Sequence, residues 1–359
     1  MNRLGIRRVL VSGASGKLGR AITAALVNAG CEVRVLGDYT PVHLDGVELF
    51  QGSVSDPRAT QQAVAGIDAI CQLTTTMGDP ETFFEASVRA PLNLLEALAS
   101  DRAQRRWRAA SILGTLNLLE AAWQDGRVKQ FLFSSSDAAM GVWFCSQLGP
   151  INEAMPLHAY PGRYAFTKVI EEVMCQQYAL EYRLPYTCLR ASWIFRGDDI
   201  LKHLSLTRAI DPDRPIVSSW DAFLNDEQRQ LVSRGEDRVP ILVNGSGIPY
   251  RRHIVHIDDV VQAWLLAIGN PVAVGQTFHI AAPSAFSYDQ AARYLSQKTG
   301  VPTTELVVPG CHSFEIDISR ARSILGYRPA HDIYATIDMA LEEAGRVARR
   351  RRGGPREAL

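Results

Sequence analysis

RVLVSGASGKLG, residues 8–19, decides how the rest of the chain reads. A short apolar run gives way to the triplet Gly13-x-x-Gly16-x-x-Gly19, and RAITAALVNAG then continues with helical period until Gly30 supplies a stop. This is strand, tight turn and helix. Glycines at that spacing let the backbone turn sharply and approach a pyrophosphate, whose charge is met by amides at the helix N-terminus. A dinucleotide is therefore expected on Gly13, Ser15, Gly16, Lys17, Leu18 and Gly19 rather than a turn alone. CEVRVLGD gives the next β-rich run and ends in Asp38, placed to accept hydrogen bonds from an adenosine ribose. Asp38 favours NAD, because it would repel a 2′-phosphate; Lys17 could attract one, so NADP stays open.

Working outward, VELFQG, DAICQLT, QFLFSS and YTCLRAS are further apolar runs, each after a segment of helical period. Such alternation predicts an α/β fold, a Rossmann-like doubly wound parallel sheet, over residues 1–195. From 196 to 345 the pattern loosens into longer loops with helical runs DVVQAWLLAIG, YDQAARYLSQKTG and IYATIDMALEEAGRVARR. These predict a smaller C-terminal substrate-binding region, interleaved with the first, as over 251–282. Residues 346–359 read as a basic, solvated tail.

With 359 residues and 47% hydrophobic content the chain can fill one large α/β core with a cap. Lys+Arg 38 balance Asp+Glu 38, so nothing global favours nucleic acid or an anionic membrane, and the expected partner is a small molecule. Six scattered cysteines without a Cys-x-x-Cys pair argue against zinc or a redox dithiol and read as buried thiols. Arg3, Arg7 and Arg8 precede only a short apolar run, and no run approaches the roughly 20 residues that span a bilayer, so a cytoplasmic protein without a signal peptide is expected. His253 and His256 fall on opposite faces of a strand-like run, and no metal site is expected.

One helix segment is duplicated: ASVRAPLNLLEAL, residues 86–98, recurs as ASILGTLNLLEAA, residues 110–122. Adjacency gives the second copy the place before FLFSSS. The first is expected to extend the helix or pack outside it, at a subunit contact if the chain forms a homodimer.

Chemistry enters with Tyr164-x-x-x-Lys168 in RYAFTKVIEEVM. On a helix this i, i+4 pair shares one face, so the ammonium favours the ionised phenol. Bringing a phenol from about 10 to near 7 takes roughly 4 kcal/mol, more than an exposed pair provides, so burial and a cofactor charge must contribute. In isolation the spacing would describe a solvated face. FLFSSSDAAMG, residues 131–141, stands upstream and ends a strand in serines; Ser136 can hydrogen-bond the substrate oxygen that Tyr164 deprotonates.

Together these motifs resemble the extended short-chain dehydrogenase/reductase superfamily, of the NAD-dependent epimerase/dehydratase type. The resemblance extends through GIDAICQLT, LGTLNLLEAA, PINEAMPL, LPYTCLRAS, RRHIVHIDDV and DISRARSILGYRP. It implies catalytic roles for Ser136, Tyr164 and Lys168, a cofactor lining by Leu73, Thr74 and Thr75, and a substrate-phosphate contact by Arg252. The alternative for Arg252 is a salt bridge to an acid such as Asp258.

Asp137 is followed by Ala138, whereas the dehydratases of this family place an Asp-Glu pair there, so elimination lacks its base. Met140 and the VWF that follows make this wall apolar, and Trp193 stands where nucleotide-sugar enzymes often use Asn. Asp137 and Trp193 join Ser136 and Arg252 as expected substrate contacts. The expected activity is NAD(P)-dependent hydride transfer at a secondary alcohol of a sugar-like, nucleotide-linked substrate, as epimerase or dehydrogenase. A dehydrogenase or ketoreductase of a smaller, less polar substrate and a non-catalytic dinucleotide-binding regulator are the alternatives.

Overall fold

The computed structural model describes residues 2–37, 46–75, 111–161, 163–207 and 220–352. Asp38, the first copy of the repeat and residues 353–359 lie outside the described residues.

Seven parallel strands form the central sheet: β1 (Arg8–Ser12), β2 (Glu32–Gly37), β3 (Val47–Gln51), β4 (Ala69–Gln72), β5 (Gln130–Ser136), β6 (Tyr186–Ala191) and β11 (Gln276–Ile280). Their spatial order is β11-β6-β5-β4-β1-β2-β3. The order reverses between β1 and β4, which opens a crevice at their carboxyl ends where α/β sheets bind ligands. The predicted sheet and its parallel sense are therefore as the sequence pattern required.

Alternation along each strand decides which face a residue covers. Val9 and Val11 of β1 pack with Ile22 and Leu26 of α1 (Lys17–Asn28), while Leu10 joins the opposite layer with Ile70, Phe131 and Phe133. That layer is closed by α2 (Pro57–Val64), α3 (Ile112–Asp125) and α4 (Arg163–Tyr182). The second copy of the repeat supplies most of α3, next to β5 in the chain, as adjacency predicted.

Three two-stranded pairings lie outside the main sheet: β7 (Trp193–Phe195) with β10 (Ile254–His256), β9 (Arg251–Arg252) with β12 (Phe286–Ser287), and β8 (Val239–Val243) with β13 (Thr303–Val307). Short helices α5 (Asp199–His203) and α6 (Asp226–Ser233) and longer helices α7 (Ile257–Ala267), α8 (Tyr288–Thr299) and α9 (Ile333–Arg352) complete the chain. Because β7 pairs with β10, no break in pairing separates residues 1–195 from those that follow.

Helix α9 carries the predicted helical run on to Arg352, into the first residues of the basic tail. One expectation needs correction. Of the cysteines, Cys71, Cys175 and Cys188 are buried, but Cys31, Cys145 and Cys311 are half-buried; all six are free. Among the described residues no helix is long and apolar enough to cross a membrane.

Candidate active site

The glycine turn is shaped by what a side chain would strike. Gly13 has φ +74, and a Cβ there would come within 2.7 Å of the Leu73 and Thr74 backbone at the end of β4. A Cβ on Gly19 would fall 2.1 Å from the Gly13 carbonyl oxygen, so its absence lets α1 seat directly on the turn. Gly16 is the N-cap of α1 and offers no side chain to the first-turn amides. An uncapped helix N-terminus in a glycine cradle suits a pyrophosphate, and the donor set fits a dinucleotide. The Leu73 and Thr74 backbone adjoins this cradle. Lys17 is not a spare cation: its ammonium pairs with Asp199 at 2.5 Å.

Strand β5 delivers the second part. Ser136 ends the strand and caps the turn 137–140 by accepting from the Ala138 amide at 3.2 Å. Helix α4, carrying Tyr164 and Lys168, packs against β5 and this turn. Lys168 is buried, donates to the Ser134 carbonyl at 3.1 Å, and has its ammonium 5.8 Å from the centre of the Tyr164 ring.

The sequence reading missed the partner that Lys168 already has. Glu171 lies 3.1 Å from its ammonium, both groups buried. Burial works to lower the Lys168 pKa, but Glu171, with Tyr164 and Cys188, raises it overall. Glu171 also accepts from Ser111 and Thr115 at 2.8 Å each, Gln72 donates to Thr115 at 2.8 Å, and Ser12 donates to Gln72. A polar ladder thus links Lys168 to the ends of β1 and β4, beside the glycine turn. One residue on, Glu172 binds Arg190 at 2.8 Å in a second buried pair.

The substrate side is built differently. Asp137 is buried and accepts from Ser136 at 3.1 Å and Ser192 at 2.8 Å; burial pushes its pKa up despite those bonds and the Arg252 charge. The guanidinium carbon of Arg252 lies over two indoles, 4.1 Å from the Trp193 ring centre and 4.8 Å from that of Trp143. Trp143 has φ +72, a left-handed backbone that a bulky residue rarely adopts. The alternative pairing of Arg252 with Asp258 is not formed, since Asp258 faces His256 at 3.5 Å. The fold thus brings Ser136, Asp137, Trp193 and Arg252 together.

Trp143, read in the sequence only as part of the apolar VWF run, joins this wall, as do Tyr160 and His203, which carried no signal there. Tyr160 feels Tyr164, Asp137 and Arg252, and burial raises its pKa. The His203 ring touches Trp193 edge-on at 4.7 Å, and its Nε2 lies 2.8 Å from the Tyr288 hydroxyl. Elsewhere His256, Asp258 and His331 converge, through a residue remote in sequence. His256 Nδ1 accepts from the Asp258 amide at 3.3 Å, and His331 Nδ1 lies 3.1 Å from Asp259.

The model of the NAD dependent epimerase/dehydratase family matches residues 9–112 and 99–196. Each stretch contains one copy of the repeated segment. The chain is similar to UDP-glucose 4-epimerase of Corynebacterium glutamicum, 23% identical over 341 residues covering 92% of this chain and 93% of that protein. It is also similar to the crystal structure of a short-chain dehydrogenase/reductase superfamily protein from Agrobacterium tumefaciens with bound NAD. The TM-score is 0.77 and the identity 25%, over 96% of this chain and 100% of that one. UDP-glucose 4-epimerase from Thermotoga maritima, solved with UDP-glucose, shares the fold at TM-score 0.66 and 21% identity, over 95% and 99% of the two chains.

Proposed function

The chain belongs to the NAD dependent epimerase/dehydratase family, and from that premise we propose that it is an NAD-dependent enzyme acting at a secondary alcohol of a sugar-like substrate. The observation that carries this reading is the uncapped glycine cradle after β1 together with Ser136 at the end of β5, two strands away in the sheet, against which α4 packs with Tyr164 and Lys168.

When bound, NAD supplies a carbon that accepts a hydride. Gly13, Gly16 and Gly19 would hold its pyrophosphate against the first turn of α1. Ser136 turns its hydroxyl hydrogen to the substrate oxygen, fixing the alcohol in place. The alcohol proton passes to the Tyr164 oxygen as the carbinol hydrogen leaves with its electron pair, so that a ketone remains. Lys168 reaches this region with its charge shared between Glu171 and the phenol, which makes it a holder of position as much as a source of field.

If the ketone is held until hydride returns to the other face, the outcome is epimerisation; if it is released, dehydrogenation. The apolar wall of Met140, Val142, Trp143 and Trp193 favours the second outcome on a compact substrate. Deuterium exchange between a labelled alcohol panel and NAD tests the reading. Transfer with NADH release supports a dehydrogenase, and inversion with the dinucleotide retained through native mass spectrometry supports an epimerase. Absence of exchange with every alcohol would leave a dinucleotide-binding regulator.

A further inference from the structure

Arg251 and Arg252 are neighbours with opposite surroundings. Arg251 points outward and meets Glu315 at 3.5 Å. Arg252 points inward under Trp143 and Trp193, its Nε is buried without a hydrogen-bond partner, and among the described residues no carboxylate stands within ion-pair distance. Indole faces stabilise a guanidinium but do not neutralise it.

The strand bearing Arg252 is tied to the catalytic serine. Ser136 donates to one oxygen of Asp137, Ser192 contacts the other at 2.8 Å, and Ser192 also lies 2.9 Å from the carbonyl of His253, the residue after Arg252. Ser192 has a single hydroxyl hydrogen for two acceptors. Ser192 thus ties Asp137 to the strand of Arg252, and burial pushes the Asp137 pKa up. The other titratable groups that feel Arg252 also favour their neutral forms by burial: His203 is pushed well down, and Tyr160, Tyr288 and Cys311 are pushed up. Among the described residues, the Arg252 guanidinium therefore faces the site with no carboxylate at ion-pair distance.

We infer that Arg252 is the receptor for a single carboxylate placed close to the reacting carbinol, so that the substrate is a hydroxy acid, sugar acids included, rather than a nucleotide diphosphate. The inference rests on the hydride-transfer reading and narrows its substrate class. One cation matches one anion; the guanidinium fork matches a planar carboxylate in two parallel bonds; and the hydrogen-bonded route from Ser136 to His253 keeps the anion near the reacting carbon.

The test is equilibrium binding to the full-length, NAD-loaded protein by calorimetry, with 3-hydroxybutyrate, glucuronate, their methyl esters and UDP as probes. An acid should bind at least tenfold tighter than its ester, and that preference should vanish in Arg252→Leu, whose folding is checked by its melting curve, and fall in Arg252→Lys. UDP should not discriminate between Arg252→Leu and the parent. A panel in which no acid outbinds its ester, or UDP binding that drops tenfold in Arg252→Leu, overturns the inference. NADH formation is read separately. An acid bound through Arg252 but never oxidised would keep the anion site and break the hydride-transfer reading; a neutral alcohol oxidised as well as any acid would do the reverse.

Discussion

Two regions of this molecule bury cations, and they handle them in opposite ways. On the sheet side, Arg190 is gripped by Glu172 and Lys168 by Glu171, each at about ion-contact distance and with both partners out of water. On the substrate side, Arg252 rests against two indoles, with no acid at ion-pair distance among the described residues. Removing a charge from water is costly unless a partner is supplied. The sheet side supplies its partners from within the fold, which fixes α4 against β5 and β6 before any ligand arrives. The substrate side leaves its charge for a ligand to neutralise. Chemistry and recognition are thereby assigned to different regions, and that division is open to experiment.

The sharpest break would come from Tyr164→Phe. Only a hydroxyl is removed, so turnover should fall by about 10²–10⁴-fold, the usual range for a positioned general base, while dissociation constants for NAD and substrate stay within a few fold. Kinetics and calorimetry on the same preparation decide it. Affinity falling in step with turnover would mean that Tyr164 shapes the pocket and that the two regions are not separate.

How much of this was legible in the chain follows from the same division. The glycine turn, the parallel sheet and the residues at the ends of β1, β4 and β5 were legible because each is written in local period: apolar runs, glycine spacing, a helix with Tyr and Lys four apart. Glu171 is also on that helix, but its partners Ser111, Thr115 and Gln72 come from other segments, and isolated polar residues inside apolar runs carry no period of their own. Lys17 read as a spare cation because Asp199, its partner, is far along the chain. The clamp on Arg252 joins residues 143, 193 and 252: the β7–β10 pairing sets Trp193 beside Ile254, two residues after Arg252, and Trp143 arrives just past the 137–140 turn, which no spacing rule announces.

A second prediction concerns the fully paired cation. Glu172→Leu leaves Arg190 buried without its carboxylate, and stability should fall by about 3–5 kcal/mol, read from urea unfolding. Glu172 also receives the Ser135 hydroxyl, so strand β5 loses a tie as well. Adding Arg190→Met should recover much of the loss, because no charge is then stranded. A single-variant loss below about 1 kcal/mol would show that water reaches this pair, and the contrast with Arg252 would weaken.

Acid should loosen the boundary between the regions. His253 is buried and its Nδ1 accepts the Ile316 amide at 2.9 Å; burial lowers its pKa to about 4. His279 is buried, with burial and then the Arg190 charge lowering its pKa to about 3. Both folded values lie below the unfolded value of about 6.5, so the unfolded chain takes the proton first as pH falls. The stabilisation is complete above about pH 6.5 and is lost on acidification, down to about 4 for His253 and about 3 for His279. Each histidine should contribute a slope of about 1.2 kcal/mol per pH unit between 6 and 5. His279→Asn should flatten the measured slope by that amount; an unchanged slope would place the ring in contact with water.

The smallest expected effect is the most discriminating. Arg252→Leu removes cation–π contacts, worth about 0.5–2 kcal/mol, but also removes a half-buried guanidinium whose Nε has no partner. These changes oppose each other, so unfolding free energy should move by less than about 1 kcal/mol in either direction. A structural ion pair would behave as Glu172→Leu does and lose several times more. Bound acid should then stabilise the parent protein and not the variant, since a ligand raises stability only by its preference for the folded state. If instead the variant unfolds as readily as Glu172→Leu, Arg252 belongs with Lys168 and Arg190 as part of the frame, and the charge that faces the site is not there for a ligand.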